Sequence, residues 1–313
     1  QRAGTKLVIV AQALVYAKRV DEALDMLKRA SAATPGNYEL HDAFVSLSYE
    51  TRDDARIEAA LVAALKAFPE APEFTVRLAN IRKVQGDRPG ALALLEPLIL
   101  DGIPAPSILG ELLGLLSGAE RGKEHRERYQ KMVAEHPQAI GPKIVLGVMQ
   151  HYLHEYTRSN ELLIPALAMI PNEPRIPMYI GMNYFRDGNK QDAIPMIALA
   201  AEAKRLDPDV YYCRAVVHAE DDPKGALDDL RRYMALTTKR PDVNPSKQAR
   251  VQTTVDLIAD CVKSEDAKAC VREKVAPRFI ELAYQESGSF ARPKDGQGPE
   301  GGDPAQGDEP PRT

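Results

Sequence analysis

His151 and His154 stand three residues apart, a spacing that can place two imidazoles on one helix face as metal ligands. Glu155 follows, but the order is not that of a zinc protease, and no third ligand is evident. A solvated or groove-facing polar pair is the competing reading. Cys261 and Cys270 form the second candidate pair. They flank an expected turn at Lys263-Ser264, and antiparallel helices joined there could bring the sulfurs within bonding range. Such a bridge would staple the hairpin and imply an oxidising compartment. Two separate, partly buried thiols are the alternative. Cys213 would then be left over, buried in its own helix. No CxxC occurs, which speaks against a metal knuckle or redox motif.

Gly296, Gly298 and Gly301 spell G-x-G-x-x-G, but in a Pro-rich stretch with no strand before it and no helix after it. Phosphate binding by that motif needs both. The acidic pairs Asp21-Glu22, Asp53-Asp54 and Asp228-Asp229 fall at expected helix starts or on solvent faces, where capping and the helix dipole account for them. No nucleophile has a base in local support. The sequence therefore predicts a protein that is not an enzyme and needs no cofactor or metal. An enzyme or metal-binding protein with a site at His151 and His154 stands as the alternative.

Composition narrows the partner. The 313 residues are 44% hydrophobic and 27% charged, as in ordinary water-soluble folds, with a net charge of −4. That balance argues against nucleic acid, which selects a basic stripe. With no Trp and 6% aromatics, stacking platforms for bases are also unexpected. No apolar run is long enough to span a bilayer. The start at Gln1 rather than Met suggests that a leader, an anchor or further repeats preceded it.

The elements that must carry these residues repeat. Pro35, Pro69, Pro137 and Pro171 follow helical stretches at separations of 34 or twice 34, with Pro104 beside the skipped position. Proline cannot continue a helix, so each marks an exit. Twelve residues before each mark begins an i, i+4, i+7 face: Ala23, Leu27 and Ala30 in the first unit, Ile57, Leu61 and Ala64 in the second. Ala91, His125 and Ser159 open the next three. In the stretch from Ile180 to Ala200, Gly181 and Tyr184 share one helical face, and Ala193, Ile197 and Ala200 share the next.

On these residues the chain resembles the tetratricopeptide repeat family, whose 34-residue helix-turn-helix units carry a small residue late in the first helix, Ala early in the second and Pro at the exit. The resemblance implies an all-α, right-handed α-solenoid (a superhelix) of about seven repeats, at 4–37, 38–71, 72–105, 106–139, 140–173, 174–208 and 209–241. Some units depart from the pattern: Val45 and Ile57 in repeat two, Leu113 and His125 in repeat four, and Arg214 in repeat seven replace small residues. Wider helix separations are expected there. Pro97, Pro165 and Pro195 fall inside second helices, either as built-in bends or tolerated on an outer face.

After the array at 4–241, an amphipathic helix over 247–262 and a last helix containing Val271, Val275, Phe279, Ile280 and Ala283 read as a C-terminal capping hairpin within 242–286. Ser264-Glu265-Asp266 reads as its N-cap turn. The Gly-, Pro- and acid-rich stretch 287–313 cannot bury a core and is expected to be a disordered tail, inert or partner-binding.

In the family, first helices line a concave face that holds the partner. The register maps that face to Gln12, Asn80, Lys83, His151, Met182, Phe185, Tyr211, Arg214 and His218. Their mixed character suits an extended peptide or a partner helix. Val8 and Gln12 stand where some members begin a lysine-asparagine clamp for a chaperone's C-terminal carboxylate, so that role is disfavoured. The expectation is a protein-binding scaffold, in bacterial envelope assembly if the cysteines pair, with a periplasmic or otherwise extracytoplasmic location and a cytoplasmic one as the alternative. A docking or sensory segment of a larger protein is the other possibility.

Overall fold

The computed structural model describes residues 2–203, 207–238 and 245–279. Among these, sixteen α-helices and one 3-10 turn account for the regular structure, and there is no strand. The helices pair off along the chain: α1 (Arg2–Tyr16) with α2 (Val20–Ala33), α3 (Tyr38–Glu50) with α4 (Asp54–Ala67), and α5 (Pro72–Val84) with α6 (Arg88–Leu95). Then come α7 (Pro106–Leu116) and α8 (Ala119–Glu135), α9 (Ile140–Tyr152) and α10 (Tyr156–Met169), α11 (Arg175–Arg186) and α12 (Lys190–Ala201). The last are α13 (Pro208–His218), α14 (Pro223–Thr237), α15 (Pro245–Val262) and α16 (Ala267–Lys274). The chain divides into two compact units, residues 1–213 and 214–313. This is an all-α helical-repeat solenoid.

The repeated sequence marks act through backbone geometry. Thr34, Phe68, His136 and Ile170 each precede an exit proline, and each leaves the helix with φ between −133 and −122 and ψ between 65 and 72. A proline ring disfavours the α region for the residue before it, and at these helix ends the same exit recurs four times. The turn inside each hairpin has its own signature. Lys18, Arg52, Gly86, His154 and Gly188 share one repeat position, and all have positive φ, from 54 to 86. A left-handed residue at this point closes the first helix and sends the chain back. Only Gly adopts that conformation without cost.

This turn corrects the reading of the histidine pair. α9 ends at Tyr152, and His154 lies beyond it with φ 61, so the two imidazoles do not share a helix face.

Within the 1–213 unit, second-helix residues Ala23, Leu27, Ala60, Leu61, Ala64, Ala91 and Leu95 are buried, as their spacing requires. Gly181 marks a close crossing. A Cβ there would lie 2.8 Å from Ile197 Cγ1 and 3.1 Å from the Ala193 carbonyl oxygen, so α11 and α12 meet at backbone distance. Where Leu113 and His125 replace small residues, α8 packs chiefly on α9 rather than on its own partner α7. Pro97 does more than bend its helix: α6 stops at Leu95, and Glu96–Ile99 continues as a 3-10 turn. Pro165 and Pro195 sit at exposed positions of uninterrupted helices. Pro208 opens α13 rather than closing a repeat, which is a natural first-turn position for proline.

In the 214–313 unit, α14, α15 and α16 pack on one another around Leu230, Tyr233, Val251, Ile258, Val271 and Val275. Cys261 and Cys270 are joined by a disulfide across the α15–α16 turn, with Cα atoms 5.4 Å apart. The N-cap of α16 is Asp266, whose carboxylate accepts from Ala269 N at 2.9 Å. Ser264, expected in that role, instead donates to the Cys261 carbonyl at 2.6 Å. Ile280, Ala283, the glycines of the G-x-G-x-x-G text and the whole 287–313 stretch lie outside the described residues.

Candidate functional site

First helices make a layer of their own in the 1–213 unit. α1 packs on α3, α5 on α7, α7 on α9 and α9 on α11. Polar bonds tie the layer laterally. Arg77 of α5 holds Asp42 of α3 at 3.0 Å, Lys83 of α5 holds Glu111 of α7 at 2.5 Å, and the Tyr38 hydroxyl of α3 donates to Glu73 of α5 at 2.5 Å. Between α1 and α3 the layer opens into a cavity of about 570 Å³. Its walls include Val8, Gln12 and Val15 from α1, and Asp42, Ser46 and Glu50 from α3.

The residues expected to line a groove separate into distinct environments. Gln12 and Asn80 are exposed on first helices, and Gln12 borders the cavity. Lys83 belongs to the layer but is engaged by Glu111. Phe185 and Tyr211 are half-buried. Met182, at 5% exposure, is part of the core, because α11 is enclosed over most of its circumference. Arg214 and His218 belong to the other compact unit and are half-buried there. Arg214 grips Asp229 with one edge of its guanidinium, Nε and Nη2 donating to the two carboxylate oxygens at 2.7 and 2.5 Å. Asp229 is buried, so it is not the solvent-face acid that its place near a helix start suggested. Asp42, Ser46 and Glu50 were absent from the expected set. The 34-residue register points to them, since it carries Val8, Gln12 and Tyr16 onto these three positions.

His151 is not a groove residue either. At 4% exposure it is the end of a buried polar chain joining repeats five and six. Its Nδ1 lies 2.6 Å from Asn183 Oδ1. The Asn183 amide donates to Ser159 Oγ at 2.8 Å and to Asn160 Oδ1 at 2.7 Å, and Ser159 Oγ donates to the Gly147 carbonyl at 2.7 Å. Because the amide nitrogen already spends both hydrogens, Oδ1 must accept, and His151 carries its proton on Nδ1. His154 turns to a different partner, the Tyr156 hydroxyl at 2.7 Å. Among the described residues no group of three or more His, Cys, Asp or Glu could hold a metal.

Burial first, then the Arg186 charge, drives the His151 pKa down to about 3. The ring is therefore neutral when folded, whereas an unfolded histidine titrates near ~6.5. Above that pH both states are neutral. As pH falls below it, only the unfolded chain takes up the proton, and stability is lost progressively until about pH 3. Between pH 7 and pH 5 this loss is about 2 kcal/mol. Burial lowers the pKa of His41 and of His154 as well, in the same direction. Urea titrations at both pH values should show the wild type losing about 2 kcal/mol more than His151→Gln, which can still donate to Asn183. Equal losses would mean that His151 is not the buried neutral group.

The helix pairing, the recurring pre-proline exits and the first-helix layer define a tetratricopeptide-like helical-repeat protein. One solved structure agrees on that fold. A tetratricopeptide repeat protein from Parabacteroides merdae superposes with a TM-score of 0.51 at 13% identity, covering 82% of this chain and 100% of that one. A human IFIT1 dimer with m7Gppp-AAAA gives 0.47 at 12% identity, covering 91% and 69%, and Pseudomonas aeruginosa pilF gives 0.39 at 11% identity, covering 77% and 95%. Only the first is close enough to bear on the fold, and at 13% identity it bears on the fold alone. The sequence matches no protein-family model and no curated protein.

Proposed function

We propose that this protein is a non-catalytic scaffold whose first-helix layer, in the 1–213 unit, holds a peptide or helix of a protein partner. The cavity between α1 and α3 carries the reading. It offers an apolar floor from Val8, Ala11, Val15 and Leu47, with Glu39 and Glu50 on its lining and Asp42 already held by Arg77. A partner segment that alternates apolar and basic side chains fits that chemistry, one face packing and the other pairing. The division into a repeat array at 4–241 and a closing segment at 242–286 belongs to the same proposal. The Cys261–Cys270 bridge supports an oxidising compartment and so favours an envelope or periplasmic form of the scaffold.

Site-directed photo-crosslinking in the native cell tests this. A crosslinker at Gln12 or Asn80, both exposed on first helices, should capture the partner, and one at exposed Val62 on α4 should not. Glu50→Lys should cut the Gln12 yield about tenfold, the effect of losing about 1.4 kcal/mol of binding. Equal capture at Val62, or no response to Glu50→Lys, would remove the first-helix layer as the site. Charge reversal at Lys83 or Arg214 is a poor probe, because each would break an internal ion pair first.

A further inference from the structure

A larger cavity, of about 730 Å³, lies between the second helices α2 and α4, with α3 at its base. Leu24 and Phe44 give it apolar walls, and the exposed Ala59 and Ala63 leave room where longer side chains would close it. Its charges are unequally committed. Arg56 holds Asp21 at 2.7 Å, and Asp25 is held by Arg29 at 2.7 Å. Lys28 and Lys66, also on the lining, have no ion-pair partner among the described residues.

His41 belongs to the wall of this cavity and is 4% exposed, yet neither ring nitrogen makes a hydrogen bond. A buried polar group without a partner is costly to keep. Burial lowers its pKa, while the carbonyls of Pro35 and Ser31 pull the other way without reaching hydrogen-bond geometry. The neutral ring thus has one donor and one acceptor unspent. It sits edge-on to Phe68, 5.5 Å between ring centres, just past the end of α4 where Lys66 stands. From Ala67 back to Ala59 the trough runs about 12 Å at ~1.5 Å per residue.

We propose that this cavity binds a small amphipathic carboxylate, such as a medium-chain fatty acid, with its head group at His41 and Lys66 and its chain along Leu24, Phe44, Ala59 and Ala63. The volume lies in the range of small-molecule sites, which are mostly apolar with a few placed polar groups. The soft torsion between Cβ and the imidazole lets the ring turn its N–H to a carboxylate oxygen. Lys66, on the same lining, adds a positive charge with no ion-pair partner among the described residues. The site is separate from the first-helix layer, so its failure would leave the scaffold reading intact.

Calorimetric titration of the full chain with decanoate, decanol and acetate tests the proposal, with thermal unfolding in parallel. Decanoate should bind saturably at one per chain, with decanol and acetate each at least about tenfold weaker, because each lacks one half of the recognition. Ala63→Phe should abolish decanoate binding without lowering Tm, since it fills the trough from an exposed position. His41→Leu removes the unpaired polar group, so it should raise Tm by a few degrees while weakening decanoate about tenfold. A packing histidine with no ligand would lose Tm on that change or leave binding untouched. Absence of saturable decanoate binding, equal affinity for decanol, or undiminished binding in Ala63→Phe would each overturn the proposal.

Discussion

Replacing Asn183 by Leu should lower the unfolding free energy by about 4 kcal/mol, among the largest costs available to a single side chain here. Asn183 is fully buried and is the hub of the polar chain between repeats five and six. Its carboxamide makes three hydrogen bonds, to His151, Ser159 and Asn160. Leucine has nearly the right size, so the cavity term is small. The cost comes from what is left behind: His151 Nδ1–H loses its acceptor and Asn160 Oδ1 loses a donor, both away from water, at about 1–3 kcal/mol each. Ser159 keeps the Gly147 carbonyl and suffers less. The double variant His151→Phe, Asn183→Leu removes both ends of one bond and should cost clearly less than the sum of the single changes. Urea titration gives the totals, and hydrogen exchange should show the loss concentrated in α9, α10 and α11, because a repeat interface opens locally. A cost near zero, or an additive double variant, would show that the network contributes no more than solvent-exposed polar contacts do.

The same network shows what the sequence could and could not disclose. The fold was legible because its marks are covalent or steric. A proline disfavours the α region at the residue before it, and Thr34, Phe68, His136 and Ile170 all leave the helix there. Apolar spacing at i, i+4, i+7 leaves second helices such as α2 and α4 only one side to bury. The bridge between Cys261 and Cys270 followed from two helices meeting at a short turn. The candidate site was less legible, because polar residue types do not declare which way they point. Asn183 and His151 look like surface residues by type and lie inside because their groups satisfy one another and Ser159, which the register had already placed on the buried face. Arg214 looked like a groove cation and is instead matched to a carboxylate fifteen residues on. The positive φ at His154 was hidden too, since histidine gives no glycine signal at a position where Gly86 and Gly188 do.

Gly181→Leu carries the other large effect and tests the helix crossing at the centre of repeat six. The first added carbon would sit 2.8 Å from Ile197 Cγ1, 2.9 Å from its Cδ1 and 3.1 Å from the Ala193 carbonyl oxygen. Ile197 could yield by changing rotamer, but it is itself fully buried, so it has nowhere to go without displacing a neighbour. The carbonyl oxygen belongs to the α12 backbone and moves only if the helix moves. Three further side-chain carbons must then be housed between α11 and α12, and the expected cost is about 3 kcal/mol, at the upper end for overpacking. Gly181→Ala meets the same first contacts and should cost less, since nothing follows the Cβ. Gly188 gives the contrasting case: it has φ 81 with open space around it, so alanine there should be penalised by backbone strain of about 1 kcal/mol rather than by a clash. Thermal and urea unfolding of the three variants should therefore rank Gly181→Leu well below Gly181→Ala and Gly188→Ala. If Gly181→Leu unfolds with the wild type, α11 and α12 do not cross at backbone distance.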